Sequence, residues 1–444
     1  MVQRSVCDLS HQGLTARDAG SLSNSQKTRA IDNLVASNSD PSKKFSQRRE
    51  AIVHAASILI NEIGVQATTL SDVARAIGLN ATSITYYFPR KEALIVAVYE
   101  ETLNRMEAMA IEAAEEVDPA SRLRKFVALH VTLRMRIREG ERGLVTALSE
   151  IRTLDEEKQR ALLDHYREIV DQVRGFFGNP QSDRQRALFS ARAHILLEAL
   201  MWLPVWSRSY STLDFGRIED RLVDILAVGL PTLRGTWEPR ELKNRTWRTR
   251  RAVPTRQNED FLRAATIMIN ERGYRGASVT RIAEALNVTK GSFYHHHEAK
   301  DDLVLACFQQ SYDRLSATQM AGQAVDGDYW TRMSSVLHEL IDLQFFDAMP
   351  LLRTTALQAL GSDHRSSVVT RSNHLARRFA GMLIDGIADG SVRPIDPLIA
   401  SQIIMSTLNA AYEAQRWAER FSDREAAIQT YASVLSHGML AENQ

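Results

Sequence analysis

The stretch TKGSFYHHHEAKDDL, residues 289–303, decides the fold, because NATSITYYFPRKEAL at residues 80–94 repeats its pattern 209 positions earlier. The same offset pairs identical residues upstream: Ala55, Ala56, Ile58, Ile60, Asn61, Glu62 and Gly64 recur as Ala264, Ala265, Ile267, Ile269, Asn270, Glu271 and Gly273. Roughly a third of about forty aligned positions are identical, and the period is far longer than the roughly 20–50 residues of a solenoid repeat. The chain is therefore interpreted as two copies of one domain arrangement.

Apolar residues spaced three and four apart predict three short helices in each copy. In the first copy the helix with the apolar stripe Ile52 to Ile63 ends at Gly64, whose positive φ stops a helix. Thr69 caps the second helix, and Gly78 makes a tight left-handed turn before the third. The third helix begins after its cap Asn80. The matching residues of the second copy are Gly273, Ser278, Asn287 and Thr289.

Two helices joined by a tight turn, the second ending in aromatic and histidine residues, form a helix-turn-helix with a recognition helix. The two quoted segments resemble the helix-turn-helix signature of the TetR family of transcriptional regulators. The resemblance covers about fifty residues in each copy, and beyond them only a coarse helical pattern supports it. It implies an all-α fold of two tandem TetR-like units. Each unit then has a three-helix DNA-binding head and a larger helical body that binds a small effector and dimerises.

These expectations divide the chain into six segments. Residues 1–44, rich in Ser, Asn and Gln, are predicted to be a disordered polar tail. Head 1 is residues 45–94 and body 1 residues 95–231. A basic linker follows at 232–256, then head 2 at 257–303 and body 2 at 304–444.

The resemblance implies that the outward residues of each recognition helix face the major groove of DNA. In head 1 these are Ala81, Thr82, Thr85 and Tyr86, and in head 2 Lys290, Gly291, Tyr294 and His295. Lys290 is suited to donate to guanine, while Tyr294, Ser292 and His296 are suited to hold phosphates. The remaining predicted DNA contacts are Thr69, Asn80, Ser83, Tyr87, Lys91, Ser278, Thr289 and Lys300.

Several of these residues also have a purely structural interpretation. Tyr87 is as well suited to a core position as to a DNA contact, and Lys91 and Lys300 could simply be solvated. The run His295, His296 and His297 does not predict a metal site, because successive residues on a helix point ~100° apart. No metal or other cofactor is predicted.

The two heads differ at nearly every outward position. Head 1 has Ala81 where head 2 has Lys290, and Thr85 where head 2 has Tyr294. In head 2, His297 also stands where an inward-facing aromatic residue is expected. Because of Ala81 and Thr85, head 1 is expected to bind more weakly or to read a different half-site. A symmetric dimer reads a palindrome, so unlike heads predict an asymmetric operator.

The segment from residue 234 to residue 256 is the most basic of the chain. Eight arginines and lysines stand against Glu238 and Glu241. This charge favours an arm that follows phosphates or the minor groove, and a solvated linker is the alternative.

The last two helices of body 1 are expected to pack against the last two helices of body 2. Their apolar stripes need a partner, and two bodies in one chain can supply a four-helix contact. The predicted helices are 191–207 and 218–230 in body 1, and 400–417 and 426–440 in body 2. The chain would then act as a monomeric pseudo-dimer, with a homodimer as the alternative.

Effector pockets in helical bodies are apolar with few polar anchors. An apolar or aromatic small molecule is therefore expected, although aromatic residues in a bundle are often plain core. The candidate ligand-binding residues are His130, Phe176, Trp202 and Trp206 in body 1, and Phe345, Met349, Tyr412 and Trp417 in body 2.

Composition narrows the function classes. The formal net charge is +1, so DNA binding must come from local basic patches, and two cysteines indicate a reducing cytoplasm. No apolar run is long enough for a membrane helix or placed as a signal peptide. No phosphate loop, nucleophile elbow or metal-ligand spacing predicts an enzyme. A regulator, repressor rather than activator by family habit, is preferred to a ligand- or partner-binding interaction protein with degenerate heads.

Overall fold

The computed structural model describes residues 41–140, 145–146, 148, 151, 154–233, 235–243, 256–289, 291 and 299–441. Regular elements in these ranges are helices, together with one isolated antiparallel bridge between Pro231 and Val392. The chain divides into two compact units. The first takes in Met1–Leu94 and Arg136–Leu144, and the second takes in Ile95–Met135 and Val145–Gln444. The predicted all-α fold is confirmed.

Head 1 consists of α1 (Pro41–Ala67), α2 (Leu70–Ala76) and α3 (Ala81–Tyr87). Gly64 breaks the helical backbone inside α1 with a φ of 81°, and Gly78 takes a φ of 66° in the turn. Thr69 and Asp72 form a reciprocal capping box at the start of α2. The predicted glycine and cap positions are thus confirmed. The predicted tail is described only from residue 41, where α1 begins before the expected head boundary at 45.

Body 1 contributes α4 (Lys91–Ala114), α5 (Pro119–Arg138), α6 (Glu156–Gly175), α7 (Asp183–Trp206) and α8 (Phe215–Val228). Two short 3₁₀ turns, Ser207–Ser209 and Thr212–Asp214, connect α7 to α8. α8 has an apolar face that is buried along its length, and Gly229 ends it with a φ of 85°. Gly229 thus turns the chain towards body 2.

Head 2 begins with α9 (Arg256–Gly276) and α10 (Val279–Ala285), joined to the next residues by Asn287 at a φ of 54°. Asn287 is the left-handed turn residue that the sequence predicts. Of the predicted third helix, only Thr289 and Gly291 are described. The expected sites Lys290, Ser292, Tyr294, His295 and His296, and also His297, lie outside the described residues.

Body 2 contains α11 (Lys300–Gln323), α12 (Tyr329–Phe346), α13 (Ser362–Asp389), α14 (Pro397–Ala411), α15 (Gln415–Ala418) and α16 (Arg424–Ser436). A 3₁₀ turn at Thr354–Ala359 separates α12 from α13. α9 of head 2 packs on α11 and on this turn.

The first half of the predicted linker is attached to body 2. The Thr232 amide donates to the Ser391 carbonyl oxygen at 3.0 Å, and the Trp330 indole donates to the Thr236 carbonyl at 3.0 Å. The Arg240 guanidinium donates to the Asp326 carbonyl at 2.7 Å, and Leu242 is buried. Residues 235–243 are therefore attached to body 2, and contact of the basic segment with DNA stays a prediction. Residues 244–255, with four more arginines, lie outside the described residues.

Candidate functional site

The outward face of the first recognition helix, α3, is exposed as predicted. Ala81, Thr82, Thr85 and Tyr86 all face solvent, and the Tyr86 side chain is 74% exposed. The opposite face is buried through Ile84 at the helix centre. α3 thus presents the four residues that the resemblance assigns to the major groove.

Tyr87 is half-buried, and its ring lies on another aromatic ring. Phe45, in the first turns of α1, stacks on Tyr87 with 4.8 Å between ring centroids. Tyr87 is therefore neither a core residue nor a free surface group. The sequence does not predict a role for Phe45, because this residue precedes the apolar stripe of α1. Its one signal is that it is an aromatic residue among Lys43, Lys44 and Arg48.

Two predicted contacts of head 1, Thr69 and Asn80, are helix N-caps, and a third, Ser83, donates to one of them. The Asp72 amide donates to the Thr69 hydroxyl at 3.1 Å, and the Ser83 amide donates to the Asn80 side-chain oxygen at 2.7 Å. The Ser83 hydroxyl also donates to Asn80. The Thr69 hydroxyl lowers the pKa of the Asp72 carboxyl by donating to it. The Thr69 bonds define the start of α2, and the Asn80 bonds define the start of α3 directly after the turn between the two helices. Lys91, at the start of α4, is half-buried.

In head 2, the predicted DNA contact Lys300 is engaged with a neighbouring tyrosine. The Lys300 ammonium lies 3.8 Å from the centroid of the Tyr274 ring and donates to the Tyr274 carbonyl oxygen. The Tyr274 hydroxyl donates to Asp301. The solvated alternative for Lys300 is therefore wrong. Position 65 of the first copy, which matches Tyr274, is a valine. Ser278 caps α10, and Thr289 and Gly291 are exposed.

The four helices expected to pair do so within the chain. α7 and α8 of body 1 pack against α14 and α16 of body 2, and this contact is called the inter-body interface below. The predicted four-helix contact is confirmed. Buried apolar residues line each of these helices.

The inter-body interface contains a reciprocal pair of hydrogen bonds. The Leu230 amide donates to the Leu435 carbonyl at 2.8 Å, and the Met439 amide donates to the Leu226 carbonyl at 2.7 Å. The 209-residue offset makes Leu226 equivalent to Leu435, and Leu230 equivalent to Met439. Contacts of this form, in which residue i of one half meets j of the other and j meets i, define a two-fold interface. The two bodies are thus locally related by a pseudo-two-fold axis.

Two equivalent glycines meet beside this pair of bonds. Gly229 and Gly438 have φ values of 85° and 78°. A Cβ on Gly438 would lie 2.2 Å from the Ala227 carbonyl oxygen, and one on Gly229 would lie 2.8 Å from the Gly438 amide nitrogen. Only glycine allows both the left-handed backbone and this approach.

Away from the pseudo-two-fold axis, the polar contacts of the inter-body interface differ between its two halves. Glu198 of α7 accepts from the Trp202 indole at 2.8 Å and from the Asn409 amide at 2.7 Å. Burial raises the pKa of the Glu198 carboxyl. The Arg393 guanidinium pairs with Asp224 of α8 at 3.2 Å. By the 209-residue offset, Glu198 corresponds to Thr407 and Asp224 to Ser433, so neither acceptor carboxylate has a symmetric equivalent.

We expect Glu198→Gln to remove part of the pH dependence of stability. A carboxyl whose pKa is higher in the folded than in the unfolded chain stabilises the fold below its unfolded pKa, and this contribution is lost as pH rises through the folded pKa. The variant should therefore match the parent chain near pH 4 and be more stable by about 1 kcal/mol at pH 8. Urea unfolding at both pH values measures the difference. Exposed Glu168→Gln is the control, and an identical difference at both pH values would contradict the assignment.

Asn270 joins head 2 to body 2. Its side chain is 1% exposed, its amide donates to the Leu351 carbonyl at 3.0 Å, and its oxygen accepts from the Arg353 amide at 2.9 Å. Arg353 also pairs with Glu413, just after α14, at 2.5 Å. A chain of polar contacts thus runs from α9 to the end of an interface helix. The repeated Asn61/Asn270 pair was the sequence signal for this residue, but its partners are distant in sequence.

We expect Asn270→Ala to destabilise the chain by about 2 kcal/mol, because it leaves the buried Leu351 carbonyl and the half-buried Arg353 amide without these partners. Amide exchange at Arg353 should accelerate with it. Ser311→Ala, which removes the one bond from the Leu352 amide, should cost about half as much. Equal destabilisation by the two variants would contradict the role of Asn270 in joining head 2 to body 2.

The predicted effector residues fall into separate clusters. The rings of His130 and Phe126 lie 4.4 Å apart, and Phe126 and Phe176 lie 5.3 Å apart. Burial lowers the pKa of His130 to about 4. Trp202 and Trp206 lie on another helix, near the end of α7, and the Trp206 ring contacts Tyr210 just beyond it.

In body 2, Phe345 and Trp417 do come together, with 5.9 Å between ring centroids. The Trp417 indole donates across the inter-body interface to the Ala187 carbonyl at 3.0 Å. The Met349 carbonyl accepts from Arg314, and the Tyr412 ring lies 5.9 Å from the Arg353 guanidinium. Two surface depressions, of about 270 and 670 Å³, are lined by none of the eight predicted residues.

Two findings on metal binding and membrane spans concern the described part alone. No group of three histidine, cysteine or acidic side chains there could hold a metal ion. One helix, Asp183–Ser209, has the length and composition of a membrane span, with 56% of its apolar window buried in the protein. It contains α7, whose apolar character serves the inter-body interface.

Comparisons with known proteins agree with this architecture. The family described as "Bacterial regulatory proteins, tetR family" matches residues 52–98 and 261–307, and "Tetracyclin repressor-like, C-terminal domain" matches 327–417. The HTH-type transcriptional regulator RutR of Escherichia coli (strain K12) is 31% identical over 88 residues, which are 20% of this chain and 42% of RutR. The chain thus spans less than half the length of this relative.

A longer match is the HTH-type transcriptional repressor KstR2 of Mycolicibacterium smegmatis, 26% identical over 150 residues, which are 32% of this chain and 70% of KstR2. Among solved structures, the ketosteroid transcriptional regulator KstR2 of Mycobacterium tuberculosis is 23% identical with a TM-score of 0.35, covering 42% of this chain and 95% of that one. The two matches to the DNA-binding head and the one to the C-terminal domain fall where the helices predict two units. The chain therefore belongs to the tetR family of bacterial regulatory proteins and carries two TetR-like units in tandem.

Proposed function

We propose that the chain is a sequence-specific DNA-binding transcriptional regulator. It is a ligand-responsive repressor in which a single chain takes the place of a homodimer. The observation that carries this proposal is the reciprocal hydrogen bonding of Leu230 with Leu435 and of Met439 with Leu226. A two-fold interface already formed within the chain leaves each body paired. One chain can then present two heads to one duplex.

The two heads are proposed to read different half-sites. The exposed residues of α3 are uncharged, whereas the matching segment of head 2 contains Lys290 and His295. Major-groove recognition depends on the donors and methyl groups at these positions. The operator is therefore asymmetric.

The effector is proposed to be an apolar or aromatic small molecule bound in one of the bodies. The aromatic clusters around Phe126 and Phe345 support this chemistry. Repression is supported by the similarity to KstR2 of Mycolicibacterium smegmatis, which is described as a transcriptional repressor. The cytoplasm is the proposed location, since that is where a regulator meets DNA.

Footprinting of the purified chain on the DNA upstream of its own gene tests the proposal. One protected stretch containing two unlike half-sites is expected. Two near-identical inverted half-sites would contradict the asymmetric operator. Loss of all binding, on this DNA and on a random duplex pool, would instead favour an interaction protein with degenerate heads.

A further inference from the structure

An aromatic cluster of Phe45, Tyr86 and Tyr87 lies on the exposed surface of head 1. Phe45 stacks on Tyr87 and meets Tyr86 edge-on at 6.0 Å, and the rings of Tyr86 and Tyr87 are 5.2 Å apart. Each ring therefore contacts both others. Phe45 is nonetheless 42% exposed, so this apolar surface has no cover in the described part of head 1.

The cluster connects two elements that approach DNA in the proposed function. Tyr86 is an outward residue of α3, while Phe45 lies in the first turns of α1 beside the exposed Lys43 and Lys44. The Arg49 guanidinium lies 5.2 Å from the centroid of the Phe88 ring, at the end of α3. An apolar patch bordered by cations suits a nucleic acid, whose phosphates attract the cations while its bases offer apolar groups.

The other outward residues of α3 have few hydrogen-bond donors for bases. Ala81 offers only a methyl group. The Thr85 hydroxyl donates to the Thr82 carbonyl at 2.8 Å, and this bond occupies its only proton. None of the four outward residues is charged, so the guanine contact expected of Lys290 in head 2 has no equivalent here. Besides the Thr82 and Tyr86 hydroxyl groups, this surface offers apolar groups, and contact with the C5 methyl group of thymine is a major-groove readout suited to it.

We propose that head 1 reads thymine methyl groups in its half-site, with Phe45 as the positioning residue that holds Tyr86 on the recognition surface. The device belongs to head 1 alone. The 209-residue offset places Pro254 where head 1 has Phe45, and His295 and His296 where it has Tyr86 and Tyr87. This inference rests on the proposed DNA-binding function and specifies the chemistry of one of its two half-sites.

The test uses the intact chain and the tightest duplex it selects from a random pool. Lys290→Ala identifies the half-site of head 2 by the protection that is lost. Replacing thymine by deoxyuridine in the other half-site removes only methyl groups. Binding should weaken about fourfold for each contacted methyl, whereas the same replacement in the half-site of head 2 should change affinity less than about twofold. Because the protein is unaltered, this measurement does not depend on the folding of a variant.

Variants of Phe45 test its positioning role. Phe45→Ala should reduce the difference between thymine and deoxyuridine in the half-site of head 1 to less than about twofold, while Phe45→Tyr, which keeps the ring, should restore it. Ile63→Ala is the matched control, because Ile63 is on the same helix, has a similar exposure of 44%, and lies near the other end of α1. It should leave the thymine preference unchanged.

The possible failures are distinguishable. If the chain selects no duplex, the proposed function is wrong and this inference falls with it. If it selects a duplex whose affinity ignores deoxyuridine in the half-site of head 1, only the methyl readout is wrong. If Phe45→Ala keeps the full thymine preference, Phe45 has no positioning role.

Discussion

The substitution Gly438→Ala is expected to destabilise the chain by about 3 kcal/mol or more, although it adds a single methyl group. That methyl group would lie 2.2 Å from the Ala227 carbonyl oxygen. Neither backbone can withdraw without breaking the bonds between Met439 and Leu226 and between Leu230 and Leu435. The left-handed backbone at Gly438 adds its own cost, because L-residues rarely adopt it.

Gly390→Ala separates these two costs. Gly390 has a φ of 79°, close to that of Gly438, but a Cβ there would meet no atom within 4 Å. It should cost only the backbone term, about 1–2 kcal/mol. Denaturant unfolding measures both variants, and amide exchange at Leu230 and Met439 shows whether the reciprocal bonds open. Equal destabilisation by the two alanines would contradict the close approach of the bodies.

The second large effect is expected in head 2. Lys290→Ala combined with Tyr294→Ala should weaken operator binding by about 100-fold, because it removes the base contact and the phosphate contact predicted for the same recognition helix. Fluorescence anisotropy at one fixed salt concentration is the appropriate measurement, since phosphate contacts make affinity steeply salt-dependent.

Arg263→Ala is the control for head 2. It removes an exposed cation from α9, where Arg263 pairs with Asp260 at 2.5 Å. We expect less than about a twofold change in affinity. An unchanged affinity of the Lys290 and Tyr294 double variant would show that head 2 does not read the operator through these residues.

The sequence predicted local features well. The positive φ of Gly64 and Asn287 and the caps at Thr69 and Asn80 depend on a few neighbouring residues, and all are present. The pairing of the last helices was also predictable, because long apolar stripes need a partner. Ile63 was the exception on the stripe of α1, being exposed beside the break at Gly64.

Contacts between distant segments were not predictable in the same way. A short polar segment such as residues 235–243 has no periodic pattern, yet it is held by body 2 through the Arg240 side chain. The contacts of Phe45 and Asn270 are with groups that tertiary packing brings beside them from distant parts of the sequence. Trp417 is an aromatic residue of the kind that lines effector pockets, but its indole donates to the Ala187 carbonyl of body 1. The ligand role of the eight effector candidates remains a prediction.

The mass of the complex between the chain and its operator duplex tests the central claim most directly. Sedimentation or native mass spectrometry should find one 50.0 kDa chain on each duplex, with both unlike half-sites protected in the same complex. Two chains on each duplex, arranged on a palindrome and absent from half-operators, would contradict the account of a single chain acting as a pseudo-dimer.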